Sequence, residues 1–103
     1  MGTATFTISG YGPKYHGVAG KYVTSGAHTT STSASSLTDG AAGAGSAITG
    51  RTGDVLTIQV DEAARVMFGD ETATATVGHI IYASTTRDLE ITGPGAISII
   101  DIA

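Results

Sequence analysis

The residues of this chain that come nearest to a chemical motif are Gly45-Ser46-Ala47-Ile48-Thr49-Gly50-Arg51-Thr52. The run is one position away from the phosphate-binding loop G-x-x-x-x-G-K-[ST], where backbone amides cradle phosphate oxygens and a lysine reaches them. Such a loop works between a strand and the first turn of a helix, whose amino end favours negative charge. Here arginine replaces the lysine, a Gly/Ala tract precedes the run, and the strand-like DVLTIQV follows it. The run therefore reads as a flexible loop entering a strand.

The other reactive side chains are scattered. His16, His28 and His79 have no acidic or second histidine neighbour at a ligand-like spacing, and His79, just after Gly78, reads as an edge or interface residue. Asp61-Glu62 and Asp70-Glu71 fall in turns, where solvated carboxylates are the ordinary state. A Ca²⁺ site shared with Asp39 or Asp54 is the ion chemistry such loop oxygens would suit. Nothing predicts a cleft or apolar wall that would split the pKa values of a catalytic carboxylate pair. No serine lies in a G-x-S-x-G elbow. The absence of cysteine excludes disulfides, a thiolate nucleophile and a Cys-type zinc site. The expectation is a protein with no catalytic residues, no cofactor, no metal and no small-molecule substrate. Tyr11, Tyr15 and Tyr22 stand in glycine-rich surroundings, where a tyrosine ring can anchor an interface at low rotamer cost.

The elements that would position these residues are strands. In DVLTIQV, Leu56, Ile58 and Val60 share one face, and Val55, Thr57 and Gln59 the other. Val66 and Phe68 alternate with Arg65 and Met67, and Leu89 and Ile91 with Asp88 and Glu90. Period two is the strand signature, and the blocks are too short for amphipathic helices. Strands are predicted over 3–9, 54–60, 64–69, 72–77, 79–83, 87–91 and 96–102. The connectors leave room only for hairpins and tight loops. In AISIIDIA, Ile97 and Ile99 share one face while Ile100 and Ile102 share the other, so this strand is central, bulged or covered by a neighbouring subunit. Ile100 and Ile102 join the three tyrosines and His79 as candidate interface residues.

The first half is poorer. SGAHTTSTSASS (25–36) has no large apolar residue and reads as an extended surface arm or long loop. The expected fold is all-β: one domain spanning 1–103, a small antiparallel β-sandwich or jelly-roll-like barrel. Residues 54–103 would form its compact core, and 1–53 a strand plus an extended Gly/Ser/Thr-rich N-terminal arm.

With 103 residues, folding buries roughly two-thirds of the surface of the unfolded chain. Fifteen glycines, six aromatic residues and no tryptophan make for modest stability as a free monomer. A net charge of -4 argues against nucleic-acid binding, which needs a basic face. Only 14% of the residues are charged, which fits a protein whose surface is largely covered by copies of itself or a larger partner. MGTATFTISG does not read as a signal peptide, and no apolar run reaches the ~20 residues that cross a bilayer as a helix.

The segment ARVMFGDETATATVGHIIYA resembles a pattern found in small structural proteins of tailed bacteriophages. In that pattern a strand ends in an aromatic-Gly pair and is followed by an acidic turn, a Thr/Ala alternation and a Gly-initiated apolar strand. The matching residues are Val66, Met67, Phe68, Gly69, Asp70, Thr72, Ala73, Thr74, Ala75 and Gly78; Leu89 to Ile102 match its later strand, Gly/Pro turn and last apolar strand. The resemblance covers about the C-terminal half. It implies a virion protein on the capsid surface that decorates or cements the shell, bridging neighbouring copies of the major capsid protein and contacting copies of itself. A head–tail joining, tail or host-adsorption spike component is the alternative. A carbohydrate-binding β-sandwich is a third reading, weakened by the lack of clustered aromatic rings.

Overall fold

The computed structural model describes residues 2–10, 22–40 and 45–102. Its strands are β1 (Gly2–Ser9), β2 (Tyr22–Thr30), β3 (Ser35–Ser36), β4 (Thr49–Gly50), β5 (Val55–Val60), β6 (Ala64–Met67), β7 (His79–Ile81), β8 (Thr85–Glu90), β9 (Gly95–Ala96) and β10 (Ser98–Asp101). The fold is all-β, with every strand pair antiparallel. One four-stranded sheet has the order β2-β1-β5-β8, a second the order β3-β10-β6-β7, and β4 pairs with β9 in a short ribbon. From β2 onward the chain alternates between the two sheets, apart from the β6–β7 hairpin. This is the alternation of double-sheet jelly rolls.

Period-two patterning explains which faces meet. Ala4, Phe6 and Ile8 of β1 lie directly opposite Val60, Ile58 and Leu56 of β5, and all six are buried. In the second sheet Val66 pairs with Ile99 and Ala64 with Ile81. These side chains join Leu37, Ile48, Phe68, Leu89, Ile91 and Ile97 in one cluster between the sheets. Each large aliphatic side chain contributes about 1.5–3 kcal/mol by leaving water. The inward faces expected for 54–60, 64–69 and 87–91 are the ones observed.

Two stretches differ from their sequence-based expectation. Residues 25–30, expected in the arm or loop, belong to β2, which pairs with β1 along its length, Gly2 opposite Thr30 through Ile8 opposite Thr24. An edge strand needs only a light inward face, and β-branched threonines suit the pleat without large apolar side chains. The large apolar side chains that β2 lacks are supplied to the same core by buried Leu37 and Ile48. Residues 72–77 are not a strand. Both neighbours of β6 are already taken, by β10 and β7, so TATAT does not pair with the strand it follows. Thr74 and Val77 instead exchange backbone bonds of 3.0 and 3.3 Å, and the Thr74 hydroxyl accepts from the Val77 amide at 2.9 Å. Local hydroxyl–backbone bonds of this kind compete with strand pairing.

The doubly apolar strand has its explanation in this turn. β10 lies inside the second sheet, with Ile97 and Ile99 facing the core. Its other face is roofed by residues 72–78.

Candidate functional site

The outward positions of the first sheet form a hydroxyl-bearing surface, with a shallow hollow of about 280 Å³ where Thr3, Thr5, Gln59 and Asp61 meet. Across its middle, Thr5 stands between Ala27 and Gln59, and Gln59 is opposite Thr86. In the next row Thr7 stands between Ser25 and Thr57, and the Thr57 hydroxyl donates to Asp88 Oδ1 at 2.7 Å. The outward positions of β2, β1 and β5 carry no charge; Asp88 and Glu90 of β8 supply the only carboxylates along one margin. Strand spacing and rise make this face about 19 Å by 20 Å, roughly 400 Å².

The second sheet is closed on the same side of its pleat. Arg65, Ile100 and Ile80 lie opposite one another on its outer face. Arg65 donates from Nε to the Ala75 carbonyl at 3.1 Å and from Nη1 to the Gly78 carbonyl at 2.8 Å. Ser98, two residues from Ile100 on that face, accepts from the Ala73 amide at 3.0 Å. Ala73 is buried and Ile100 is 9% exposed beneath this cover.

The candidate interface residues do not converge. Tyr11 and Tyr15 lie outside the described residues. Tyr22, at the start of β2, is 61% exposed, and its hydroxyl lies 3.0 Å from Ser25 Oγ. His79 opens the edge strand β7 and is exposed, its ring centroid 5.7 Å from that of Phe68. Ile100 is buried, and Ile102 is half-buried with its amide on the Ala63 carbonyl. Tyr82, not among the expected interface residues, is the most exposed large apolar side chain among the described residues, at 64%. It sits in the turn between β7 and β8, and its place at the end of an apolar block gave no sign of that exposure.

In the Gly45–Thr52 run several backbone amides are already committed to the fold. The Ser46 amide donates to Asp39 Oδ1 at 3.0 Å, the Ile48 amide to the Leu37 carbonyl at 3.0 Å, and Thr49–Gly50 is β4. The turn carboxylates are likewise engaged with backbone at separate corners. Asp61 Oδ1 accepts from the Thr3 amide at 2.7 Å, and Asp70 Oδ1 from the Ala96 amide at 2.7 Å. No group of three or more His, Asp or Glu side chains suited to a metal ion occurs among the described residues.

One polar cluster does form where the sequence reading saw only a dispersed histidine. His28 is 7% exposed; its Nδ1 lies 2.9 Å from Thr38 Oγ1 and its Nε2 2.8 Å from Ser35 Oγ. Burial lowers its pKa below the ordinary imidazole value. Ser35 also lines a hollow of about 130 Å³ with Asp70, Glu71, Thr72 and Ser98. A serine beside an imidazole has the outline of a nucleophile and its base. Asp70 and Glu71 in the same hollow would repel the oxyanion that such chemistry generates. The cluster is better described as a seam joining β2 of one sheet to β3 of the other. No protein-family model, characterised protein or solved structure matches this chain.

Proposed function

We propose that this protein is a structural component of a virion that decorates or cements a bacteriophage capsid, holding neighbouring shell subunits through the outer face of its first sheet. The observation that carries the reading is the unequal finish of the two sheets. The second is covered by residues of its own chain, whereas the first leaves some 400 Å² of hydroxyl-bearing surface, charged only along its margins, with no such cover among the described residues. The uncharged middle of such a surface loses little solvation when covered, and threonine methyls and hydroxyls serve both apolar and hydrogen-bonded contact.

The size of the face decides how it would act. It is about half of the ~800 Å² per partner that a standard stable interface buries, so a single engagement is weak. Repetition around a symmetric shell turns weak contacts into a strong collective hold, and anything that binds only the assembled shell stabilises it by mass action. The resemblance of residues 64–102 to small tailed-phage virion proteins supports the same reading.

The test is occupancy on the particle. A low-resolution map of the assembled capsid with the purified protein added should show it in hundreds of copies over subunit seams, with the first sheet facing the shell. The Thr5→Arg/Thr7→Arg double variant should fold as the wild type does by circular dichroism and lose at least tenfold in occupancy. Undiminished occupancy of the folded double variant would remove this face from the proposal. About a dozen copies at one vertex would replace capsid decoration with a head–tail or spike role.

A further inference from the structure

After β2 the chain crosses to the second sheet and returns along the outer edge of β2. There the Ala27 amide donates to the Gly40 carbonyl at 2.8 Å and the Gly40 amide to the Ser25 carbonyl at 3.2 Å. Residue 40 thus closes the middle of an otherwise uncharged sheet edge, the kind of edge that pairs readily with other chains. Two glycines permit the approach. A Cβ on Gly26 would lie 2.7 Å from the Thr38 carbonyl oxygen, and Gly40 has φ +76°.

His28 ties the same segment down from inside. Its two ring nitrogens hold Ser35, at the start of the crossing, and Thr38, next to its return. We propose that His28 is an acid-sensitive latch: protonation of its ring within the seam releases residues 35–40 from β2 and opens that edge of the first sheet while the rest of the sandwich stays folded. The inference goes beyond the proposed virion role and does not depend on it.

The chemistry of the seam sets the direction. A neutral imidazole donates from one nitrogen and accepts at the other, and two hydroxyls complement either tautomer. The imidazolium would donate from both nitrogens, and both hydroxyls could turn to accept. Hydrogen bonding therefore tolerates the proton; the cost lies in holding a charge away from water. No carboxylate among the described residues bonds the ring to offset that cost: Asp70 and Glu71 line the hollow beside Ser35, and Asp70 Oδ1 is taken by the Ala96 amide. Described β1 carries no titratable side chain and places Ala4 opposite His28. On the crossing segment Asp39 directs Oδ1 to the Ser46 amide. On β10, Asp101 is buried and bonds through its amide to the Ser31 carbonyl. Both ring nitrogens face hydroxyls rather than either carboxylate.

Burial lowers the folded-state pKa of His28 from 6.5. A group depressed in the closed state and ordinary in the open state stabilises closure fully above the ordinary value, and that stability is lost as pH falls through the lowered one. Between the two values, opening becomes easier by up to about tenfold per pH unit for one proton.

Residue-resolved amide hydrogen exchange on the full chain, corrected for intrinsic rates and stepped from pH 8 downward, tests the latch. The Ala27 and Gly40 amides should lose protection by up to about tenfold per pH unit as pH falls from the ordinary imidazole value to the midpoint of the His28 ring titration and level off below it, while the β1–β5 ladder keeps its protection. In His28→Gln, which keeps a hydrogen-bonding side chain but cannot charge, protection at these two amides should not vary with pH. Constant protection in the wild type would overturn the latch. So would a loss shared equally by the β1–β5 ladder, a loss that continues well below the ring-titration midpoint, or an acid response that survives in His28→Gln. If the variant does not fold, whether the wild-type loss at Ala27 and Gly40 levels off at the ring-titration midpoint decides the matter alone.

Discussion

Thr5, Thr7, Thr57 and Gln59 on the outside of the first sheet face solvent or lie half-buried, whereas Ile100 on the outside of the second is sealed and Arg65 is bent over it. Both sheets obey the same alternation on their inner faces, so the contrast arises wholly outside the core. Over the second sheet, residues 72–78 close a local turn, bond Ser98 through the Ala73 amide and supply the Ala75 and Gly78 carbonyls that hold Arg65. The first has no equivalent among the described residues, and its strands carry polar outward side chains to suit. A sandwich this small can therefore hold one face as a second, minor core and offer the other for contact.

That contrast can be broken from the covered side first. Ile100→Ala should destabilise the protein by about 2–3 kcal/mol, the lower part of the usual range for an aliphatic truncation, read by urea unfolding. A loss below half a kilocalorie would mean that the roof does not bury Ile100 in solution. Arg65→Met keeps the apolar stem and removes the two bonds to the Ala75 and Gly78 carbonyls. It should cost about 1–2 kcal/mol and speed amide exchange in 72–78 more than in β5. The smallest effect is expected on the open side, where Thr5→Ala should change stability by no more than about 0.5 kcal/mol in the same assay. If Thr5→Ala and Ile100→Ala proved equally costly, the distinction between the two faces would fail.

Much of the sandwich was legible in the chain because its core strands are strongly patterned. Leu56-Ile58-Val60, Val66-Phe68 and Leu89-Ile91 alternate with polar or charged neighbours, and their burial follows directly. The light strand β2 was not legible, since SGAHTTSTSASS has the composition of a surface loop. Its strand character depends on β1 offering an edge and on Leu37 and Ile48 supplying the large apolar side chains it lacks. TATAT misled in the other direction: its alternation suits a strand, but both edges of β6 are occupied and the Thr74 hydroxyl takes the Val77 amide instead. The His28 seam could not be read from spacing, because Ser35 and Thr38 are two of many hydroxyls in that stretch. One signal was present, a lone imidazole within a Ser/Thr tract able to satisfy both of its nitrogens.

Side-chain alternation and turn residues are local properties, so composition and pattern were enough to establish an all-β chain, the inward faces of its best strands and the doubly apolar character of 97–102. Which edges are filled, which outer face is roofed and which hydroxyls meet His28 depend on long-range pairing between segments tens of residues apart. Those choices follow from the geometry of two sheets closing on one another, and no single stretch of the chain contains them.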